Sequence, residues 1–104
     1  MKLIPTIFSH NKKEFDERFT KLVPIAKNLQ IDFMDGKFVK SKSVSLSQIP
    51  NLKKYRNNFE AHLMAKNPEK YLAKLKQKGF KEIIFHFEST KVPEKVIEKI
   101  KKEK

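Results

Sequence analysis

Strand-like and helix-like segments alternate four times along this chain of 104 residues, and no other feature of the sequence constrains its fold as strongly. The strand-like segments are rich in β-branched and aromatic residues and read KLIPTIFS (2–9), LQIDFM (29–34), NFEAHLM (58–64) and EIIFHFE (82–88). Segments with helical spacing of apolar residues follow at 11–23, 46–55, 68–79 and 92–104, the second being interrupted by Pro50. This alternation predicts an α/β domain with a parallel sheet and right-handed crossovers, spanning residues 1–104.

One side of the predicted strands carries ionisable side chains. Because side chains alternate across a strand, Asp32 and His62 point away from their apolar neighbours. The members of this polar side are Gln30, Asp32, Met34, Glu60, His62, Met64, Ile84, His86 and Glu88. The opposite side is apolar, with Leu29, Ile31, Phe33, Phe59, Ala61, Leu63, Ile83, Phe85 and Phe87, and in the last helix Val96, Ile97 and Ile100 are expected to face inward.

These polar positions favour a barrel over a flat sheet. A sheet covered by helices on both faces would bury the charged groups at a high free-energy cost. In a barrel, the inner face turns polar towards the carboxyl ends of the strands, where active sites lie. We therefore expect a (βα)4 half-barrel of four parallel strands with four helices outside.

A half-barrel leaves the first and fourth strands with open edges. A complete barrel has eight units and about 250 residues, whereas this chain supplies four units. Open strand edges recruit other chains. The simplest closure is a twofold homodimer in which the first strand of each copy pairs with the fourth strand of the other.

The charge of the chain raises the question of an anionic partner. Lys and Arg exceed Asp and Glu by 12, but the lysines are scattered and only Arg18 and Arg56 are arginines. No basic strand carries the aromatic residues of an RNA platform, so no nucleic-acid partner is expected. Cysteine is absent, no apolar run approaches the roughly 20 residues of a membrane span, and MKLIPTIF is too short for a signal peptide. We expect a cytoplasmic protein without a membrane partner.

Four motifs, in order, give the chain a resemblance to a known family. The segments IPTIFS, IDFMDGKFV, AHLMAKNPEKYLAKLKQKGF and IIFHFEST resemble the N-terminal half of the ribulose-phosphate 3-epimerase family. The resemblance runs from Ile4 to about Thr90, and the combination of DxMDGxFV with HLM and NPE is specific. It implies a TIM barrel that binds a sugar phosphate and inverts the carbon next to a ketone, with a divalent metal such as zinc or iron as cofactor.

The resemblance also implies roles for individual residues. Asp32 resembles the second-strand aspartate that is both acid/base and metal ligand, and His62 resembles the metal-ligand histidine of the third strand. Ser9, Met34 and Met64 resemble residues that line the substrate. From their position alone, Lys37 and Lys40 could meet a phosphate in the loop after the second strand. A network of Gln30, His86 and Glu88 is expected at the rim, and Asp35 is expected to stabilise a turn.

Two departures from the family leave the function open. Gln30 stands where the family has another metal-ligand histidine, and the second catalytic aspartate and the phosphate cradle belong to a half that these residues do not contain. The monomer is therefore expected to be inactive. The alternatives are a dimeric isomerase of weak or relic activity on a pentulose 5-phosphate, a noncatalytic phosphate or sugar-phosphate binder, and a truncated or engineered barrel fragment with a structural role.

Overall fold

Four parallel strands form one sheet in the order β1-β2-β3-β4. The structure, a computed structural model of the chain, describes residues 4–103. The strands are β1 (Thr6–Ile7), β2 (Asn28–Met34), β3 (Asn58–Met64) and β4 (Glu82–Phe85), and the α-helices are α1 (Lys12–Leu22), α2 (Leu72–Lys78) and α3 (Pro93–Glu103). Residues 2 and 3 of the first predicted strand and residue 104 of the last predicted helix lie outside the described residues.

The strand order determines which face of the sheet the connections cover. Each strand pairs with the next one along the chain, so every crossover moves in the same direction across the sheet. Because such crossovers are right-handed, they all lie on one face. The chain is thus an α/β half-barrel, as the sequence predicts, and its other face is not covered by a crossover.

The alternation of side chains in β2 and β3 is the one expected from the sequence. Leu29, Ile31 and Phe33 are buried, whereas the residues between them are half-buried, and β3 repeats this pattern with Phe59, Ala61 and Leu63. These apolar side chains pack against helix α1 through Phe15 and Phe19 in one hydrophobic core. The core therefore lies between the sheet and its connections, on the face opposite the polar side chains.

The expectation of four helices is wrong, because the second unit contains no α-helix. Its connection forms two short 3-10 turns, Leu46–Gln48 and Leu52–Lys54. Pro50 lies between them and has no N–H to donate, and a proline in a helix interior also clashes with the preceding turn. None of the helices in residues 4–103 is long and apolar enough to cross a lipid bilayer.

The edge strands are shorter than predicted. Strand β1 comprises only two residues, and β4 ends at Phe85 because the chain turns into a 3-10 segment at Phe87–Ser89. This turn leaves Phe87 68% exposed, so the prediction that Phe87 lies on the apolar side is wrong. Ile97 of α3 is also exposed, contrary to expectation, whereas Val96 of the same helix is fully buried.

The helix ends follow local signals in the sequence. Asn11 caps α1, because its side chain accepts a hydrogen bond of 2.9 Å from the N–H of Glu14. Gly79 follows the last residue of α2 in the left-handed region, with φ of 112°, and its N–H donates to the carbonyls of Leu75 and Lys76. Asn67 precedes the 3-10 turn at Pro68–Lys70 without a side-chain capping bond.

Replacement of Gly79 with Ala is expected to destabilise the protein by about 2 kcal/mol or more. The added Cβ would lie 2.9 Å from the backbone nitrogen of Lys53, and the φ of Gly79 is unfavourable for any side chain. Urea unfolding measures the loss. Gly36→Ala is a matched control: its φ is also positive, but its nearest contact would be an ordinary 3.9 Å. Equal losses for the two variants would contradict the proposed clash.

Candidate active site at the carboxyl ends of the strands

Asp32 and His62 lie side by side on the face of the sheet that no crossover covers. They are register partners on β2 and β3, and both lie two residues before the end of their strand. The Oδ1 atom of Asp32 is 3.1 Å from the Nδ1 atom of His62, and the two side chains are 14% and 24% exposed. The pair is thus partly shielded from water and close to the carboxyl edge of the sheet.

His86 extends this pair into a row of three side chains. Its Nε2 atom is 3.0 Å from the Nε2 atom of His62. If the Nδ1–H of His62 donates to the Asp32 carboxylate, the Nε2 of His62 accepts from the Nε2–H of His86 when both rings are neutral. The Ser89 hydroxyl donates to the carbonyl of His86 at 2.6 Å, and the ring of Phe38 lies 5.4 Å from the His86 ring.

The hydrogen bonds among Asp32, His62 and His86 orient the Asp32 carboxylate in the way that a general base requires. A carboxylate accepts a proton from carbon only when it is held within hydrogen-bond distance of that proton. His62 fixes one oxygen of Asp32, and His86 in turn fixes His62. The arrangement can therefore hold a carboxylate in one orientation at the open face.

The structure brings some of the other predicted site residues to this edge and leaves others apart. Met34 and Met64 are register partners at the strand ends, half-buried beside the Asp32–His62 pair. Ser9 is buried two residues after β1, and its Oγ has no hydrogen-bond partner among the described residues. Lys37 and Lys40 are exposed in the loop after β2.

The expected rim network of Gln30, His86 and Glu88 does not form as a unit. The side chain of Gln30 lies two residues before Asp32 on the same face of β2, and it accepts a hydrogen bond of 3.3 Å from the Thr6 hydroxyl. Glu88 is exposed in the 3-10 segment after β4. Because the strand ends at Phe85, Glu88 no longer alternates with His86, and His86 contacts His62 instead.

The side chains of one chain do not fit a metal centre. Structural and catalytic zinc sites use three or four protein ligands. Among residues 4–103, no group of three His, Cys, Asp or Glu side chains is arranged to hold a metal ion. Asp32 and His62 bond to each other, and the second ring nitrogen of His62 faces His86. The metal expected from the family resemblance is therefore not supported by a single chain.

Asp35 connects two loops at the same edge, a role beyond the turn that the sequence predicts. Its Oδ1 accepts from the N–H groups of Lys37 and Phe38, and its Oδ2 accepts from the N–H of Lys66, at 2.8 to 3.0 Å. Burial acts to raise the pKa of Asp35, but the bonds from Phe38, Lys37 and Lys66 outweigh it, and the pKa is lowered. Asp35 thus joins the loop after β2 to the loop after β3.

Replacement of Asp35 with Asn is expected to cost about 2 kcal/mol at pH 7, because hydrogen bonds to a charged group are stronger than those to an amide. Since the folded-state pKa is depressed, this stability is present above the unfolded-state pKa, near 3.8, and is lost as the pH falls through the folded-state value. Urea unfolding measures the free energy of unfolding of both proteins at pH 7 and near pH 3. The difference in this free energy between wild type and variant should be smaller near pH 3 than at pH 7. Asp16→Asn, at an exposed position paired with Lys12, should cost far less.

Comparison with known proteins matches this chain to part of a longer epimerase sequence. The model of the Ribulose-phosphate 3 epimerase family matches residues 2–104. The chain is 28% identical over 89 residues to "Ribulose-phosphate 3-epimerase, cytoplasmic isoform" of Oryza sativa subsp. japonica, covering 84% of this chain and 39% of that protein. It is 23% identical over 101 residues to "Ribulose-phosphate 3-epimerase" of Schizosaccharomyces pombe, covering 92% of this chain and 44% of that protein. The chain thus spans less than half the length of these curated relatives.

Proposed function

Because this chain belongs to the ribulose-phosphate 3-epimerase family, we propose that it forms one half of a sugar-phosphate epimerase, with Asp32 as the base. The observation that carries this proposal is the bond between Asp32 and His62 on the uncovered face of the sheet. The substrate class is a pentulose 5-phosphate, whose ketone acidifies the neighbouring C–H group.

Epimerisation at that carbon needs two proton-transfer groups. The carboxylate removes the proton from one face, the C–H bond breaks, and its electron pair delocalises onto the ketone oxygen as an enediolate. A second group returns a proton to the opposite face of the same carbon, which inverts it. Asp32 and His62 come from neighbouring strands of the same half-barrel, so a group that acts on the opposite face of the carbon would come from the other half of the barrel.

A second copy of the chain is the proposed source of that group. Among the described residues, β1 pairs only with β2 and β4 only with β3, so one edge of each remains open. Among residues 4–103, four of the five exposed large apolar side chains lie in the last unit of the chain, namely Ile84, Phe87, Val92 and Ile97. A twofold dimer would close both edges, cover this apolar surface and place the two Asp32 carboxylates around one mouth.

Molar mass in solution tests the dimer. Light scattering on the purified chain should give twice the chain mass of 12.3 kDa. Ile84→Lys places a charge on β4 and should shift the protein to the monomer mass, whereas Ile25→Lys, at a more exposed position between α1 and β2, should leave the dimer intact. A wild-type monomer, or a dimer that survives Ile84→Lys, would refute closure through β4.

Turnover tests the chemistry separately. A coupled assay with ribulose 5-phosphate should detect epimerisation by the dimer, and the Ile84→Lys monomer should lose it. Proton exchange with deuterated solvent at the reacting carbon provides a second readout of the first proton transfer. A wild-type dimer that shows neither exchange nor turnover would overturn the proposed activity while leaving the assembly in place.

A metal centre is proposed only for the closed dimer. Two copies of Asp32 and two of His62 would supply four oxygen and nitrogen ligands, the number that a divalent ion such as zinc prefers, once each Asp32–His62 hydrogen bond is exchanged for bonds to the ion. Elemental analysis of dialysed protein should find about one ion per dimer. His62→Ala should abolish it, and His10→Ala, at an exposed histidine before α1, should not. Wild-type protein with less than about half an ion per dimer would argue against the centre.

A noncatalytic sugar-phosphate binder is the second candidate. It is favoured by one observation, that Gln30 bonds to Thr6 and supplies neither a base nor a metal ligand at the strand ends. Such a protein should gain thermal stability from ribulose 5-phosphate, rising with the logarithm of the ligand concentration once that exceeds the Kd, without any turnover. Turnover that depends on Asp32 would decide for the epimerase.

A further inference from the structure

A cavity lies mainly on the side of the sheet opposite Asp32 and His62. We call it the β2–β3 cavity; it has a volume of about 290 Å³, and its walls are formed by Phe33, Val44, Leu46, Leu63, Ala65 and Leu75. Phe33 and Leu63 are register partners on the buried face of β2 and β3. The apolar wall of the cavity therefore lies on the face of the sheet opposite Asp32 and His62, and its lining reaches the carboxyl edge of the sheet at Met34 and Asp35.

The missing helix of the second unit explains why space remains there. In a complete unit, a helix covers the outer face of the strand that precedes it. Here the connection between β2 and β3 covers the sheet with loop and two 3-10 turns. From this connection, Val44, Ile49 and Leu52 are the large apolar side chains that become buried. The remaining gap opens between Val44 and the start of α2.

The roof of the cavity is held in place by backbone bonds. The N–H of Ser43 donates to the carbonyl of Met34 at 3.1 Å, and the N–H of Val44 donates to the carbonyl of Ser9 at 3.2 Å. The Ser43 hydroxyl in turn accepts from the N–H of Met34 at 2.9 Å. Backbone hydrogen bonds thus hold residues 42–44 against the carboxyl ends of β1 and β2. The cavity beneath this segment is present without a ligand.

The charged side chains that line the cavity are two lysines and one aspartate, so their net charge is positive. Lys37 and Lys42 line it and are exposed, and within residues 4–103 neither forms an ion pair with a carboxylate. Asp35 also lines it, but both of its carboxylate oxygens accept backbone N–H groups. An apolar interior beside two unpaired cations complements a molecule with one apolar and one anionic end.

We propose that the β2–β3 cavity binds a small apolar molecule that carries a single carboxylate or phosphate group. Its apolar part would occupy the space between Phe33, Leu63 and Val44, and its anionic group would lie between Lys37 and Lys42. The volume suffices, since a cavity of about 150 Å³ accommodates benzene. This proposal goes beyond the proposed epimerase function, because Phe33, Leu63 and Val44 belong to the buried core and not to the uncovered face that carries Asp32.

Titrations followed by NMR test this site with two probes, phenylacetate and phenyl phosphate. We expect saturable shifts of the backbone amides of Val44 and Ala65 with at least one of them, and the probe that binds more tightly identifies the anionic group. Benzyl alcohol lacks the charge and acetate lacks the ring, so both should bind more weakly. Equal shifts with benzyl alcohol, or no saturable shift with either probe, would refute the proposal.

Lysine variants provide a test that does not depend on repacking. Lys37→Gln and Lys42→Gln should each weaken binding by about threefold, as expected for solvent-exposed ion pairs, and the double variant by about tenfold. Lys13→Gln, at an exposed position on α1, removes the same charge and should have no effect. Ala65→Leu should block the cavity. If Lys13→Gln weakens probe binding as much as Lys37→Gln does, the anion is attracted by the net charge of the protein only, and the proposed site is refuted.

Discussion

Replacement of Asp32 with Asn is expected to lower the proposed epimerase activity of the dimer by about 100- to 10,000-fold, the usual contribution of a general acid or base. Asn keeps the shape of the side chain, and its amide oxygen accepts a hydrogen bond from His62 when Nδ1 of His62 carries the proton, but it does not take up a proton from carbon. The effect should appear in kcat and in the exchange of solvent deuterium into the substrate. Both are measured with ribulose 5-phosphate under identical conditions.

The controls for this variant separate chemistry from folding. Asp16→Asn removes the same charge from an exposed position on α1 and should retain full activity. The urea midpoint of Asp32→Asn should stay close to that of the wild type, since the Asn side chain keeps the volume of Asp and a hydrogen-bond acceptor beside His62. A variant at Asp32 that keeps activity within about threefold of the wild type would exclude this residue as the base.

Replacement of Phe59 with Ala is expected to destabilise the chain by about 3 to 5 kcal/mol, the range for truncating a buried aromatic residue. Phe59 is 1% exposed in the middle of the sheet and packs against Phe19, with ring centroids 5.9 Å apart, and against Tyr55. The total stability of a small domain is about 5 to 15 kcal/mol, so this loss removes much of it.

Urea or thermal unfolding, monitored by circular dichroism, measures this loss. Ile25→Ala provides the contrast, because Ile25 is 79% exposed and its truncation should change stability by about 0.5 kcal/mol or less. If Phe59→Ala unfolds at the same urea concentration as the wild type, the core described for α1, β2 and β3 is wrong.

Strands β2 and β3 could be predicted from the sequence because apolar side chains on the buried face alternate with polar side chains on the other face in both strands. In β2 and β3, apolar residues alternate with polar ones over seven residues, and only one pairing buries every apolar side chain. The edge of the sheet offered no such constraint. At the end of β4, the run from Ile83 to Phe87 is strongly apolar in sequence, but the turn at Phe87–Ser89 rotates Phe87 outward.

The candidate site was partly predictable for the same reason. Asp32 and His62 occupy equivalent positions in their strands, so parallel pairing in register brings them together. The contact between His86 and His62 was not expected, because it depends on where β4 ends. The bond from the N–H of Lys66 to Asp35 spans 31 residues and uses a backbone donor, which every residue type except proline provides. No residue pattern therefore indicates it.

The pairing of β2 with β3 also limits how the sequence can evolve. Loss of one residue within β2 would exchange the two sides of the strand beyond that point, exposing Ile31 or Phe33 and burying Asp32. The same loss in the long connection that ends at β3 would leave all seven pairs intact. Among descendants of this sequence, insertions and deletions should therefore accumulate between residues 46 and 57 and be absent from both strands.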